Sequence, residues 1–427
     1  MDSRDIVLSI LMDIETKNTF SNMAISKALS KNQFEDKRER AFITRLSEGI
    51  MEQRITLDYV INQFSKTKVN KCKPLIRCLL RMGTYQILYM DSVPDSAACN
   101  EAVKLAKKHG FSSLSGFVNG VLRNISRNKD NIKQPSEDVT SVDYISVKYS
   151  TPKWLCKKLK KDYPDNYTKI LEGCFFDRDT SIRVNTTKIS KDELKKMISD
   201  SGITVESGEY DDKALLIRDY DFIKKVPGYR QGYFTVQDES SMCAVRAAGI
   251  KPGNTVIDVC AAPGGKTTCA AEYMNGEGTI YSMDISEDKL ELIEENVDRL
   301  GFTNVNISCH DATIPLDDMQ VDVVIADVPC SGLGIIGRKN DIKYRLTKEQ
   351  LEELVSLQRR ILDVVSGYVK KGGRLLFSTC TINPDENQEN VKWFLEKYKD
   401  FSMQEERLFL QGVDNCDGFY YAVLNRG

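Results

Sequence analysis

Five short apolar runs most constrain how this chain can fold. They are TVIDVC (255–260), TIYSMD (279–284), NVNISC (304–309), VDVVIAD (321–327) and RLLFSTC (374–380). Taken together they are largely apolar with many β-branched residues, and each ends in Asp or Cys. A strand with only one covered face alternates apolar and polar residues, so these read as strands covered on both faces, with the segments between them forming the helical covers. Residues 236–427 are therefore predicted to form a doubly wound, mainly parallel α/β sheet. The helix before the last run carries its own start signal. Thr347 followed by Gln350 makes a capping box, and Leu351, Leu354, Leu357, Ile361 and Val365 then fall on one stripe.

The rest of the 427 residues has a different texture. Residues 1–128 read as all-helical: AFITRLSEGIMEQRITLDYVINQF and NEAVKLAKKHG space their apolar residues three and four apart, and LLRMGTYQILYM is apolar enough for the centre of a bundle. The polar stretch RNKDNIKQPSEDVT (127–140) reads as a linker. Over 141–235 the signals mix. Pro152 opens a helical WLCKKLKKDY, SIRVNTT looks like a strand, and KDELKKMISDSGI looks like a helix closed by Gly202, which together suggest a small α+β module.

Composition narrows the function classes. With 41% hydrophobic and 29% charged residues the chain is globular, and no apolar run approaches the roughly 20 residues of a membrane helix. The opening MDSRDIVLSI lacks a basic n-region, which argues against a secretory signal. Twelve scattered cysteines without a C-x-x-C pair read as reduced cytosolic thiols. His109 and His310 are the only histidines, too few for a histidine-built metal site or a Ser-His-Asp triad. Residues 1–200 carry 35 Lys/Arg against 25 Asp/Glu, a net of +10, leaving −12 for the remainder of a chain whose net is −2. A basic front half fits either a surface that meets a polyanion or a solvated helical face.

Three motifs carry chemistry. In TVIDVCAAPGGKTTCAAEYM a strand ends at Cys260, and Ala261, Ala262, Pro263, Gly264 and Gly265 form a turn without bulky side chains before a helix near Lys266. A ligand can approach such a turn and the positive helix end. Asp284 closes the next strand 19 residues after the last glycine, a spacing that suits a carboxylate accepting from ribose hydroxyls. The absence of G-x-G-x-x-G speaks against a dinucleotide. Asp311 follows the third strand, on the rim where ligands sit in such sheets. VDVVIADVPCSGLGIIGR then delivers Asp327, Pro329 and Cys330 to that rim, and GRLLFSTCTINPDENQ delivers Ser378, Thr379 and Cys380. A lone cysteine ending a buried strand is usually inert packing, but two of them, 50 residues apart on neighbouring strands beside a nucleoside site, are candidates for nucleophilic work. Gly332 and Gly334, with Arg338 and Lys339 beyond, suit a flexible basic loop or an ordinary charged surface.

CAAPGGKT, DVPCSG and STCT, in that order and spacing, resemble the RNA 5-methylcytosine methyltransferases that use S-adenosylmethionine. DKRERAFITRLSEGI and the run from NEAVKLAKKHG to GFVNGVLRN are similar to the NusB-like RNA-binding domain, which selects the RsmB (Sun/Fmu) branch acting on 16S ribosomal RNA at cytosine 967. The resemblance implies a NusB-like helical domain (1–128), a small α+β RNA-binding module (141–235) and a Rossmann-like class I methyltransferase domain (236–427). By resemblance Cys380 attacks C6 of cytosine, Cys330 assists the elimination that frees the product, and Asp327 holds the N3/N4 edge. Cys260 to Lys266 would cradle the amino-acid part of S-adenosylmethionine, Asp284 the ribose and Asp311 the adenine, with Asp327 bordering the same pocket. Lys266 could favour a thiolate at Cys380. A cytoplasmic monomer without metal or membrane is expected, with 16S ribosomal RNA as partner. Transfer RNA as substrate is an alternative, and so is a non-catalytic ribosome-assembly or antitermination protein. DNA cytosine methyltransferases attack from a Pro-Cys pair like Pro329-Cys330; the second thiol at Cys380 favours the RNA-type arrangement.

Overall fold

A computed structural model describes residues 2–32 and 36–427. The described chain divides into two units, 1–175 with 336–345, and 176–335 with 346–427.

The first unit is helical: Ser3–Lys17, Ser21–Asn32, Lys37–Glu52, Arg54–Phe64, Pro74–Tyr89, Asp95–Lys108 and Ser115–Arg127, then Val142–Lys148, Lys153–Asp162 and Tyr167–Gly173. Pro74–Tyr89 is the predicted central helix, buried from Leu75 to Ile87 at all but one position. Its Gly83 allows a close crossing: a Cβ there would come within 2.5 Å of Leu122 on Ser115–Arg127. Pro152 caps Lys153–Asp162, as the motif suggests. The presumed linker is a short 3₁₀ turn at Lys129–Asn131 and an irregular stretch, held where Lys133 N–H donates to Gln63 Oε1 at 3.0 Å.

The segment 336–345 leaves the motif after Cys330 and belongs to this helical unit. Asp341 accepts from Ser21 N–H at 3.1 Å and from its hydroxyl at 3.0 Å, and the Tyr344 hydroxyl lies 2.9 Å from that of Ser150. Leu333, Ile336, Asn340 and Asp341 are buried, and only the tip at 337–339 is exposed. The flexible-loop reading is therefore corrected. Its apolar residues and Asp341 anchor the segment, Gly334 allows a close approach to the Gly418 carbonyl, and Gly332 takes a left-handed φ of 68°.

The second unit holds two sheets. The smaller comprises β1 (Thr180–Val184), β2 (Thr204–Ser207), β3 (Ala214–Arg218) and β4 (Phe234–Val236), antiparallel in the order β2-β3-β1-β4, covered by the capped helix Lys191–Asp200. The larger comprises β5 (Thr255–Asp258), β6 (Thr279–Asp284), β7 (Val305–Cys309), β8 (Val321–Asp327), β9 (Val369–Thr379), β10 (Phe401–Phe409) and β11 (Phe419–Arg426). Its order is β10-β11-β9-β8-β5-β6-β7, with β5 to β9 parallel and the last two strands antiparallel. The chain winds outward from β5 in both directions, so a crevice opens beyond the carboxyl ends of β5 and β8.

The helix Lys348–Ser366 has the Thr347–Gln350 capping box that the sequence predicts. Its buried stripe is shifted: Leu351, Gln358, Ile361, Leu362 and Val365 are buried, whereas Leu354 and Leu357 are only half-buried. Gln358 takes an inward position because the loops it meets offer hydrogen bonds rather than apolar surface. No helix among the described residues is long and apolar enough to cross a membrane.

Candidate active site

Beyond β5 the chain turns through Val259–Gly264 into the helix Gly265–Met274. Gly264 sits at φ 94°, a left-handed conformation that disfavours any side chain. The turn is tied down on three sides. Ala261 N–H donates to the Met283 carbonyl at 2.8 Å, Ala262 N–H to Asp284 Oδ2 at 3.2 Å, and the Asn296 amide to the Pro263 carbonyl at 2.9 Å. Asp284 thus joins the turn to the end of β6, while its Oδ1 takes the Ser286 N–H and lies 3.6 Å from Lys289 Nζ. The helix directs its first, unbonded amides and its positive end to the same rim.

Asp311 lies just past β7. Its Oδ1 accepts from Thr313 N–H at 2.9 Å and from the Thr313 hydroxyl at 2.8 Å, and these two donors hold the carboxyl below its usual range. The structure joins it to Asp284 only through the backbone of its neighbour, His310 N–H to the Asp284 carbonyl at 3.0 Å.

On the other side of β5 the geometry is tighter. Asp327 ends β8 directly opposite Ser378 of β9. Its two carboxylate oxygens are taken by the Ser378 hydroxyl at 2.7 Å and by Lys266 Nζ at 2.6 Å. Lys266, almost fully buried, also lies 4.9 Å over the ring of Phe419. Its ammonium is committed to Asp327, so its charge acts first on that carboxylate. Beneath it, burial pushes the Asp258 carboxyl up to about 7, although Thr267 donates to it at 2.7 Å.

The two thiols meet here. Cys330 and Cys380, both half-buried, place their sulfurs 3.1 Å apart. Gly334 N–H donates to the Cys380 carbonyl at 3.1 Å and Gly418 N–H to the Gly334 carbonyl at 2.9 Å, which holds the Cys380 turn against β11. The hydrogen bond to Cys380 pushes the Cys330 thiol well above its ordinary range, aided by burial and by the charges of Cys380 and Glu386. Cys260 is a different case. Burial and then Asp258, Asp327 and Asp284 keep it protonated, so it offers backbone to the site and no nucleophile.

Lys266, Asp327, Ser378, Cys330 and Cys380 therefore cluster at the ends of β8 and β9, and Asp284 is bound to the turn Cys260–Gly265. Sequence reasoning passed over two further parts. Arg183 of β1 is fully buried and donates to Glu272 at 2.9 Å, the Gly265 carbonyl at 2.9 Å and the Thr268 hydroxyl at 2.9 Å, bracing the glycine turn from behind. Glu386, Gln358 and Asn390 form a buried polar group near the thiols. A basic residue inside the apolar run SIRVN and the density of polar residues in NPDENQ were the available signals.

A small antiparallel module packed with a seven-stranded, mainly parallel sheet, and a glycine turn at its switch point, define a class I methyltransferase. Comparisons with known proteins agree. Residues 247–425 match the family described as 16S rRNA methyltransferase RsmB/F, 1–127 the NusB family, and 151–220 the RsmF/B-like ferredoxin-like domain. The chain is 36% identical over 407 residues to the probable ribosomal RNA small subunit methyltransferase B of Bacillus subtilis, covering 93% of this chain and 89% of that one. It is 31% identical to ribosomal RNA small subunit methyltransferase B of Vibrio cholerae, covering 91% and 90%. Among solved structures, PH0851 matches with a TM-score of 0.86 and 25% identity over 100% of this chain and 99% of that one. A methyltransferase homologue from Pyrococcus horikoshii matches with a TM-score of 0.61 and 26% identity, over 67% of this chain and 99% of that one. The chain belongs to the ribosomal RNA small subunit methyltransferase B family.

Proposed function

We propose that this enzyme methylates C5 of a cytosine in 16S ribosomal RNA, at the family position 967, using S-adenosylmethionine. The observation that carries the reading is the pair of thiols 3.1 Å apart beside the Lys266–Asp327 pair. Carbon 5 of cytosine is a weak nucleophile, and a thiolate adding to C6 makes it enamine-like. Cys380 is the attacking thiol. Asp327, fixed by Ser378 and Lys266, holds the N3/N4 edge and supports its protonation during attack. C5 then takes the methyl group, loses its proton, and Cys380 is expelled with help from Cys330. The target base must be unpaired or flipped out, since a stacked pair hides C6 from an attacking thiol.

The donor set fits S-adenosylmethionine, which supplies an electrophilic methyl group when bound. Backbone from Cys260, Ala261, Ala262, Pro263, Gly264, Gly265 and Lys266 faces the amino-acid end, Asp284 the ribose hydroxyls and Asp311 the adenine. We take 1–128, 141–235 and 236–427 as the working domain limits, and the basic front half as the surface that meets RNA in a monomeric, cytoplasmic enzyme.

Release of tritium from RNA labelled at C5 of cytosine tests the reaction directly. Cofactor-dependent release from 16S RNA, with bisulfite protection of one cytosine, is expected. Methylation without tritium release would move the chemistry away from C5, and release from transfer RNA alone would change the substrate.

A further inference from the structure

Each thiol is followed by a hydroxyl residue, Ser331 after Cys330 and Thr381 after Cys380, and these two hydroxyls meet at 2.7 Å. Next to them lies Glu386, with none of its surface exposed. Its carboxylate accepts from Ser331 N–H at 2.9 Å, the Ser331 hydroxyl at 2.5 Å, the Gln358 amide at 2.9 Å and the Asn383 amide at 2.9 Å. Gln358 also donates to the Pro329 carbonyl at 2.9 Å and is held by Asn390 at 2.8 Å. One carboxylate therefore grips the turn after Cys330 and the turn that follows Cys380, and Gln358 links it to the Pro329 carbonyl before Cys330.

The donor count bears on its charge. A protonated carboxyl must itself donate, whereas an ionised one only accepts, and four converging donors suit the ionised form. No Lys or Arg pairs with Glu386 among the described residues. Its negative charge faces the Cys330 side of the dyad, where it disfavours a second negative charge. Two chemically identical thiols in contact need such an asymmetry if one is to attack and the other is to hold a proton.

We propose that Glu386 is a positioning residue that ties the two thiol-bearing turns together and, by the carboxylate it sets against the Ser331 turn, makes the surroundings of Cys330 differ from those of Cys380. The proposal rests on the catalytic reading above for its purpose, but its test does not need methyl transfer. In full-length protein, iodoacetamide labelling of Cys330, followed by peptide mass spectrometry in a Cys380→Ser background, gives a pH midpoint for that thiol. Adding Glu386→Gln, which keeps the shape and removes the charge, should lower the midpoint by about one pH unit, a tenfold gain in labelling rate below it. An unmoved midpoint in a variant that melts at the parent temperature would overturn that role.

Ser331→Ala separates clamp from charge and is the milder change should Glu386→Gln fail to fold. It leaves the carboxylate in place and cuts the Ser331–Thr381 link. Methyl transfer should lose about tenfold in kcat, with KM for S-adenosylmethionine and the Cys330 labelling midpoint both unchanged. Full kcat in Ser331→Ala would remove the clamp. If no cytosine chemistry is found at all, the labelling midpoints still decide whether Glu386 sets the two thiols apart.

Discussion

Among the described residues, each unit holds a cation with no more than 1% of its surface exposed, and the two solutions differ. In the second unit Arg183 has no exposed surface, and its planar fork meets Glu272, Gln237, Thr268 and the Gly265 carbonyl. Burial alone would lower its pKa, but the Glu272 charge holds it above the ordinary value. In the helical unit Lys343 is 1% exposed, with the Glu52 carbonyl at 3.1 Å and the rings of Phe175 and Tyr344 at 5.3 and 5.2 Å. No carboxylate pairs with it among the described residues, and burial lowers it to about 8. A guanidinium needs partners at several fixed points and keeps its charge; an ammonium held by a carbonyl and ring faces can give its proton up. The first arrangement suits a brace behind the glycine turn. The second leaves the anchored segment 336–345 with a titratable point.

Breaking the Arg183 brace should have the largest effect. Arg183→Ala leaves Glu272 buried with only Lys213 Nζ, 3.5 Å away, as a charged partner, and urea unfolding of the full chain should show a loss of about 3 kcal/mol in the second unit. Arg183→Lys, which restores charge without the fork, should recover only part of that. A loss under 1 kcal/mol would mean that Lys213 alone suffices for Glu272, and the contrast with Lys343 would weaken.

The Lys343 contrast is sharpened by pH. A folded pKa lowered to about 8 from 10.5 means that the unfolded chain binds more protons between those values. Stability of the helical unit should therefore rise from about pH 8 to about pH 10.5, by about 3 kcal/mol, and the cost of the buried charge is fully present below pH 8. Lys343→Met should abolish that rise. Denaturant titrations over this range check it, and a flat profile for the wild-type chain would show that Lys343 keeps its proton.

A smaller effect is expected where a charged side chain serves binding. Asp284→Ala should weaken S-adenosylmethionine binding by about 2 kcal/mol, the worth of a charge-assisted hydrogen bond, and should lower stability as well, since the Ala262 and Ser286 N–H groups lose their acceptor. Calorimetry on the purified variant reads both. Unchanged affinity would take Asp284 out of the cofactor site.

Each of the five runs became one of β5 to β9, and the inner strands were legible because burial on both faces writes itself as an apolar run; β7 departs from this, since it lies at the sheet edge with no residue fully buried. β10 escaped notice for the opposite reason. It is an edge strand that exposes Ser402 to Glu406 in succession, so neither alternation nor an apolar run marks it. Site residues at strand ends were readable from type and position, since the pleat and the winding deliver them to one rim. Arg183 and Glu386 were not, because their partners lie 89 and 55 residues away and only the folded chain brings them within reach. The segment 336–345 failed as a flexible loop on the same ground: glycine and lysine suggest mobility until a buried Asp341 and Lys343 show what they are packed against.

The account stands most directly on the division of labour between the two thiols. Cys330→Ala and Cys380→Ala, each incubated with target RNA and S-adenosylmethionine, can be resolved by denaturing electrophoresis. Cys380→Ala should be inactive with no shifted band. Cys330→Ala should transfer the methyl group and remain bound to its methylated RNA as a slow-migrating covalent species. A band with Cys380→Ala alone would make Cys330 the nucleophile, and full turnover by both variants would reduce the pair, 3.1 Å apart, to packing.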